Sequence, residues 1–202
     1  MIVIGVTGSI GMGKSTTARL FAAHGAVLHD ADAVVHALYR GPAVAAVATR
    51  FPEAIEGGMV DRTKLAGILA KEPETLAHLE AIVHPMVQAV EAERMAEARR
   101  QGRSMFVLDV PLLFETGGEK RVDVVVVASA PADIQAQRVL ERPGMTEARL
   151  AAILARQMPD AEKRRRAHFI VETGGSKAEA AYRVDGIVRA LAATAAARSH
   201  AP

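Results

Sequence analysis

Glycine, lysine and serine lie near the amino terminus at a spacing that suits phosphate binding. The segment GSIGMGKST places Gly8, Gly13, Lys14 and Ser15 in the pattern G-x-x-x-x-G-K-S/T, directly after the apolar run IVIGVT. Glycines let several backbone N–H groups point into one hollow, and the start of a following helix adds partial positive charge. The lysine neutralises the β- and γ-phosphates, and the serine hydroxyl is a ligand for the bridging magnesium. The predicted phosphate-binding residues are Gly11, Met12, Gly13, Lys14, Ser15 and Thr16.

This loop alone leaves the class of nucleotide-binding protein open. A switch GTPase recognises guanine with an N-K-x-D segment, and the chain contains no asparagine, which excludes that class. An ATP-driven motor or regulator carries an apolar strand that ends in an acidic residue, and FVLD, which ends at Asp109, fits that description. Asp109 and Glu115 both follow this strand closely. Either carboxylate could hold Mg²⁺ through water, and Asp109 could equally be an ordinary acid at a strand end.

Short apolar runs alternate with helical patterns along most of the chain. Runs rich in Val and Ile occupy residues 2–7, 26–29, 105–110, 122–129 and 169–172. Helical periodicity occupies residues 15–23, 31–39, 132–140 and 177–197. Apolar strands without polar alternation are typical of a parallel sheet that is covered on both faces. We therefore predict an α/β fold of the P-loop NTPase type, with a parallel sheet flanked by helices.

Two segments interrupt this alternation. Residues 41–103 show helical patterns and no convincing strand, which predicts an inserted helical lobe. Residues 142–166 predict a short helical lid, because Pro143-Gly144 breaks one helix and Thr146 can cap the next. The core of this single predicted domain comprises residues 1–40, 104–141 and 167–202.

Arginines are concentrated in the predicted lid. Arg142 stands at its start, and Arg149 and Arg156 lie seven residues apart, which predicts one helix face. A lid that closes its arginines over the transferring phosphoryl group would exclude water and stabilise negative charge. The run KRRR at 163–166 is instead expected to be a solvated basic surface.

The segment FVLDVPLLFE, together with the P-loop, resembles the dephospho-coenzyme A kinase family. The family's other motifs follow in order over nearly the whole chain. They are matched here by Asp30-Ala31-Asp32, DRTKL at 61–65, His84-Pro85 and PLLFE at 111–115. The resemblance implies ATP-dependent phosphorylation of the ribose 3′-hydroxyl of dephospho-coenzyme A, giving coenzyme A and ADP, with Mg²⁺ bound to the nucleotide.

The resemblance also implies roles for individual residues. Asp32 is the candidate general base, and Lys14 with Arg142 would stabilise the moving phosphoryl group. The predicted acceptor-binding residues are Asp32, Arg62 and His84, and the predicted metal ligands are Ser15 and Asp109.

Purely structural roles remain possible for three of the residues in these motifs. Asp30 and Asp32 could be an N-cap and a first-turn acid of the next helix, and His84 before Pro85 could simply end a helix.

The resemblance is incomplete near the last strand. The family pattern A-D-x-x-I-x-N-x-G is replaced by AHFIVETGG, with His168 and Thr173 at the positions of Asp and Asn. These changes put the contacts to the nucleotide base in question. Two alternatives therefore stay open, namely a kinase for another small metabolite or a nucleoside monophosphate, and an ATP-binding regulatory module without catalysis.

Composition limits the partners and the location of this chain. The 202 residues carry a formal net charge of +2 and no cysteine, so nothing points to nucleic acid and thiolate chemistry is excluded. Every apolar run is far shorter than the roughly 20 residues that span a bilayer. We expect a cytoplasmic protein, with no membrane partner, that is a monomer or a small homo-oligomer.

Overall fold

The computed structural model describes residues 1–199, and side chains as far as residue 194. Its strands are β1 Ile2–Thr7, β2 Val27–Asp30, β3 Ile55–Glu56, β4 Met59–Val60, β5 Met105–Asp109, β6 Val124–Ser129 and β7 Phe169–Glu172. Its α-helices are α1 Lys14–Ala23, α2 Ala31–Leu38, α3 Ala43–Arg50, α4 Arg62–Lys71, α5 Leu76–Arg100, α6 Ala132–Leu140, α7 Glu147–Leu154, α8 Asp160–Arg166 and α9 Lys177–Ser199. The described residues divide into two compact units, 1–29 with the chain from residue 98 onward, and 30–97.

The larger sheet confirms the predicted α/β class. Its strands lie in the order β2-β5-β1-β6-β7, and β1 pairs in parallel with both β5 and β6. Ile4 and Val6 of β1 are fully buried, as is Val107 of β5, because strands inside such a sheet are covered on both faces. The buried side chains of α1 and α9, among them Phe21 and Val184, belong to the same core cluster. The glycine-rich loop therefore begins at the carboxyl end of the central strand.

The second unit is mainly helical and comprises residues 30–97, whereas the helical lobe was predicted at 41–103. Its core comprises Val34, Leu38, Tyr39, Ala43, Val47, Phe51, Ala54, Val60, Leu65, Leu79 and Val83. The prediction of no strand between residues 41 and 103 is wrong, because β3 and β4 form a small antiparallel hairpin there. Gly57 and Gly58 join them with φ of 56° and 75°, and the tightest hairpin turn needs positive φ at both central residues. Strands of two residues are too short to show the alternation that reveals longer strands.

Helix α5 passes through a proline. The alternative that His84-Pro85 ends a helix is wrong, since α5 continues from Leu76 to Arg100 with Pro85 inside it. Proline lacks the N–H that would bond the preceding turn, which normally weakens a helix. The helix persists here with Leu79 and Val83 buried in the core of the second unit. Burial of its apolar face outweighs the local preference.

The lid segment contains two short helices. Thr146 caps α7 as predicted, since its Oγ1 accepts the N–H of Arg149 at 3.2 Å. Helix α7 ends at Leu154, so the prediction that Arg149 and Arg156 share one helix face is wrong. None of the helices among residues 1–199 is both long and apolar enough to cross a membrane.

Candidate functional site

The glycine-rich loop turns sharply between β1 and α1. Gly11 and Gly13 both have φ of 79°, in the left-handed region that side chains other than glycine rarely adopt. A Cβ on Gly11 would lie 2.6 Å from the Val139 side chain, and one on Gly13 would lie 3.1 Å from Thr173. Both glycines are therefore closely packed, while Ser15 and Thr16 in the first turn of α1 are exposed. Such a turn directs N–H groups to an anion.

Lys14 and Asp109 form an ion pair at the carboxyl ends of β1 and β5. The Lys14 ammonium contacts Asp109 Oδ1, and the Asp109 side chain is only 2% exposed. Parallel strand ends meet at one edge of the sheet, which explains how residues so distant in sequence come together. The predicted metal ligand Asp109 thus lies beside the predicted phosphate ligand Lys14.

The donor set at this edge suits Mg²⁺. Ser15 offers a hydroxyl and Asp109 a carboxylate, both hard oxygen ligands of the kind that this ion prefers. The side chains of residues 1–194 contain no cluster of three or more acidic, histidine or cysteine groups that could hold a metal alone. That arrangement is compatible with a kinase ion, which takes one or two protein ligands and completes its shell with phosphate and water.

A cavity of about 290 Å³ lies next to the loop. Gly11, Gly13 and Thr16 line it together with Arg142, so the structure brings four of the predicted site residues to one hollow. The remaining lining residues are Arg138, Thr173, Gly175, Ser176, Lys177 and Ala180. Sequence reasoning missed Arg138, which lies on α6, whereas Arg142 lies two residues beyond the end of that helix.

Thr173 supports the loop from the end of β7. Its hydroxyl donates to the backbone carbonyls of Met12 at 2.8 Å and Ser129 at 3.1 Å. Its own carbonyl accepts Nη2 of Arg138 at 2.6 Å. Met12 is held a second time, because its sulfur accepts the N–H of Ala130 at 3.1 Å. Thr173 therefore links the phosphate loop, β6 and the arginine of the cavity.

His168 lies at the other end of this strand. The N–H of Val125 donates to His168 Nδ1 at 3.0 Å, and the His168 N–H donates to the Val125 carbonyl at 2.9 Å. Both contacts precede β7, whereas the phosphate loop and Thr173 lie beyond the carboxyl ends of the strands. His168 therefore extends the pairing of the sheet before β7. Its effect on contacts to the nucleotide base stays a prediction.

The basic run at 163–166 is not the solvated surface that the sequence suggested. Lys163 is fully buried, and its ammonium lies 2.9 Å from Glu115 Oε1. Arg164 pairs with Glu172 at 2.8 Å, and Arg166 pairs with Glu119 at 2.8 Å. Arg165 alone of the four is highly exposed, with 75% of its side chain accessible. A run of basic residues has the same sequence pattern whether its side chains are solvated or paired with acidic residues far along the chain.

Glu115, the last residue of PLLFE, holds the end of the lid segment. Its Oε1 accepts the N–H of Met158 at 2.7 Å as well as the Lys163 ammonium. Burial alone would raise the pKa of Glu115, but the hydrogen bonds from Lys163 and Met158 outweigh it and hold that pKa below its usual range. The alternative in which Glu115 holds magnesium therefore competes with a structural role that the geometry shows directly.

Arg149 also has a local partner. Its guanidinium donates to the carbonyl of Gly144, in the Pro143-Gly144 turn that opens the lid. This contact stabilises the turn before α7. Of the lid arginines predicted to meet phosphate, Arg142 lines the cavity next to the glycine-rich loop and Arg149 does not.

The second unit contains its own cavity, of about 440 Å³. Arg62, Arg40 and His36 line it together with Tyr39 and the hairpin residues that follow. Burial raises the pKa of the Tyr39 hydroxyl, and the nearby Arg62 charge opposes that rise. Asp61 caps α4 by accepting the N–H groups of Thr63 at 2.7 Å and Lys64 at 2.8 Å, which fixes the backbone on which Arg62 stands.

The aspartates of the D-A-D motif have separate positions. Asp30 ends β2 and caps α2, with its Oδ1 accepting the Ala33 N–H at 3.0 Å. Asp32 lies in the first turn of α2 with its side chain exposed. Asp30 is therefore an N-cap and Asp32 a first-turn acid, and the Asp32 carboxylate stays accessible. His84 is exposed on α5, and neither Asp32 nor His84 lines either cavity.

Comparison with known proteins decides the family. The family model described as dephospho-CoA kinase matches residues 2–179. The chain belongs to the dephospho-CoA kinase family. A dephospho-CoA kinase of Mesorhizobium japonicum is 54% identical over 191 residues, which cover 95% of this chain and 97% of that relative. One of Agrobacterium fabrum is 53% identical over 193 residues, covering 96% and 100%.

Solved structures share the fold of this chain. A Thermus thermophilus protein is 38% identical with a TM-score of 0.83, covering 94% of this chain and 96% of that one. A Campylobacter jejuni dephospho-CoA kinase has a TM-score of 0.70 at 24% identity, covering 93% and 95%, which shows the shared fold. Members of the dephospho-CoA kinase family are P-loop kinases, and this chain carries the loop, the lysine and the parallel sheet of that class.

Proposed function

We propose that this protein transfers the γ-phosphoryl group of ATP to the ribose 3′-hydroxyl of dephospho-coenzyme A, giving coenzyme A and ADP. The observation that carries the proposal is the match to dephospho-CoA kinases over 95% of the chain at 54% identity. The geometry supports phosphoryl transfer, because Lys14 directly follows Gly13 at the start of α1, and Gly13 lines a cavity together with Arg138 and Arg142.

The reaction requires positioning and charge more than covalent help from the protein. The acceptor oxygen forms a bond to the γ-phosphorus, the bond from that phosphorus to the bridging oxygen of ADP breaks, and the hydroxyl proton leaves. We assign Asp32 to orient the hydroxyl or accept this proton, since its carboxylate is exposed at the start of α2. Lys14 and Arg142 stabilise the negative charge of the moving group.

Mg²⁺ belongs to the same proposal. When bound, the ion would supply positive charge that neutralises the phosphates. Ser15 and Asp109 are the residues that would hold it. Asp109 contacts Lys14 in the structure. The proposed metal ligand therefore lies next to the lysine that is proposed to bind the phosphates.

The acceptor is proposed to use the cavity of the second unit. Arg62 and Arg40 give that cavity two guanidinium groups, which suit the anionic diphosphate of a coenzyme A precursor. Arg62 therefore remains an acceptor-binding candidate with Asp32. His84 remains a weaker one, since its exposed side chain lies outside this cavity. A cytoplasmic location, a monomeric or small oligomeric state and the absence of nucleic-acid or membrane partners complete the proposal.

An assay of ADP release tests the proposal directly. Wild-type protein with MgATP should release ADP rapidly only when dephospho-coenzyme A is added, and not with a nucleoside monophosphate. Lys14→Ala should nearly abolish this release, and Lys71→Ala, at an exposed position in the last turn of α4, should not. ADP release with another acceptor would support a different kinase. ATP binding without ADP release, with or without an acceptor, would support the regulatory module.

A further inference from the structure

Gln157 connects the end of the lid segment to the phosphate loop. It lies three residues beyond α7, and its Oε1 accepts the N–H of Ile10 at 3.1 Å. The carbonyl of Ile10 is bound as well, by Nε2 of Gln135 on α6 at 2.7 Å. Both backbone polar groups of one loop residue are thus held by glutamine side chains that come from beyond β6.

The residue after Gln157 is also tied down. The Met158 N–H donates to Glu115 at 2.7 Å, and Glu115 binds the buried Lys163. The Lys163 ammonium lies 3.3 Å from the Pro111 carbonyl, which also accepts the hydroxyl of Thr7 at 3.1 Å. Two consecutive residues therefore fix the end of the lid segment to the residues that follow β1 and β5.

The loop has particular need of such restraints. Gly11 and Gly13 have wide conformational freedom, so the direction of the neighbouring N–H groups is set by contacts from outside the loop. The Ile10 N–H donates to Gln157, which orients the peptide unit between Ser9 and Ile10, one residue before Gly11. An oriented loop binds polyphosphate without reorganisation, and catalysis depends on such positioning within fractions of an ångström.

We propose that Gln157 is a positioning residue that holds the phosphate loop in its binding conformation and couples that loop to the lid segment. It is not among the residues that line the cavity beside the loop. This inference depends on the proposed function in one respect, which is that ATP is the ligand of the phosphate loop. Binding measurements therefore test it separately, because a failure of acceptor phosphorylation would leave them unchanged.

The test uses Gln157→Met in the full chain, which keeps the length of the side chain and removes the acceptor oxygen. Titration with ATP and with AMP gives two dissociation constants. One hydrogen bond is worth about 0.5–1.5 kcal/mol, so we expect the preference for ATP over AMP to shrink by about two- to tenfold. Gln137→Met is the matched control, because Gln137 lies on exposed α6 surface and contacts Glu141 only at 3.2 Å.

Hydrogen exchange of the Ile10 amide provides a second measurement. This amide should exchange faster in Gln157→Met than in wild-type protein, while Tm changes little. Unchanged ATP preference would overturn the proposal, and so would an equal loss of ATP and AMP affinity, which indicates general damage. A Gln157→Met variant that does not fold would also overturn it, since Gln157 would then be a purely structural residue.

Discussion

At the scale of single residues, the two aspartates of the D-A-D motif have side chains with different roles. Asp30 accepts the Ala33 N–H at the start of α2, and Asp32 presents an exposed carboxylate one position into that helix. Asparagine can cap a helix nearly as well as aspartate, but it cannot accept a proton from a hydroxyl. The same substitution should therefore have different consequences at the two positions.

Asp32→Asn should lower kcat by about 10²- to 10⁴-fold, the usual contribution of a general base. ATP affinity, measured by titration, should stay near that of wild-type protein because the phosphate loop is intact. Asp30→Asn is the matched control, and it should cost well under about 1 kcal/mol of stability and keep most of the activity. If Asp30→Asn were inactive and Asp32→Asn active, Asp30 would be the general base. If both variants were fully active, the acceptor hydroxyl would not bind at this end of β2.

Glu115 predicts a defined dependence of stability on pH. Its pKa in the folded protein lies below the ordinary 4.5, so the ionised carboxylate stabilises the fold above that value. This stabilisation is lost as pH falls through the lower folded pKa. Glu115→Gln should cost about 1.5–3 kcal/mol at neutral pH. Its Tm should then fall less steeply than that of wild-type protein as the pH is lowered below about 4.5.

Two comparisons sharpen this measurement. Glu93→Gln, at an exposed position on α5, should leave the Tm profile unchanged. Because Glu115 neutralises the buried Lys163, the double variant Glu115→Gln/Lys163→Met should lose less stability than the sum of its single variants. Parallel Tm profiles for wild type and Glu115→Gln would contradict the prediction, because the contribution of the Glu115 carboxylate would then not depend on pH.

Gly11 is expected to tolerate no side chain. Its φ of 79° costs an alanine about 1–2 kcal/mol, and the new Cβ would also lie 2.6 Å from Val139. The resulting shift of the loop should raise KM for ATP roughly tenfold or more, since small displacements in such sites are costly. Gly25→Ala is the control, because Gly25 has φ of 84° with nothing within 4 Å. It should lose stability only, and an equal KM effect would show that the loop is not sterically fixed at Gly11.

At the scale of elements, the lid segment gives Arg142 and Arg165 different roles. Arg142 lines the cavity beside the phosphate loop, and Arg165 is exposed and paired only with Glu162 on the same helix. Arg142→Ala should lower kcat while Tm stays nearly constant, because the lost contact is with the phosphoryl group. Arg165→Ala should change neither quantity by much. Wild-type kcat in Arg142→Ala would make Arg142 a surface charge.

The elements were largely predictable from the sequence where they were long. The five strands of the main sheet are confirmed to within about two residues, since buried runs such as that of β6 have no polar alternation to obscure them. The hairpin of β3 and β4 was missed because each strand has two residues. Pro85 led to the wrong alternative of a helix end, because burial elsewhere in α5 outweighs the tendency of proline to interrupt a helix.

Predictability was lower for the site than for the elements. The P-loop follows from spacing alone, and Arg142 follows from the resemblance and the lid pattern. Arg138, Thr173 and Gln157 acquire their roles only through contacts between distant segments. No local pattern distinguishes a glutamine that binds the phosphate loop from one in solvent.

At the scale of the whole molecule, ligand binding should report on folding. A ligand that binds only the folded state at 100 times its Kd stabilises by about 2.7 kcal/mol. For a chain of this size that corresponds to a rise in Tm of roughly 5–10 °C. MgATP should give such a rise in wild-type protein, and Lys14→Ala should lose most of it. A full shift in Lys14→Ala, measured by differential scanning fluorimetry, would show that Lys14 contributes little to ATP affinity.

The burial of Lys163 also makes its amine a reporter of local opening. Acetylating reagents modify amines that solvent reaches, and the Lys163 side chain is 0% exposed while that of Lys64 is 47% exposed. Brief acetylation of the native protein followed by mass spectrometry should label Lys64 quickly and Lys163 slowly. The rate at Lys163 then measures how often the end of the lid segment detaches, and ATP should slow it if the phosphate loop and the lid open together. Rapid acetylation of Lys163 would instead show that this segment opens freely in the native protein.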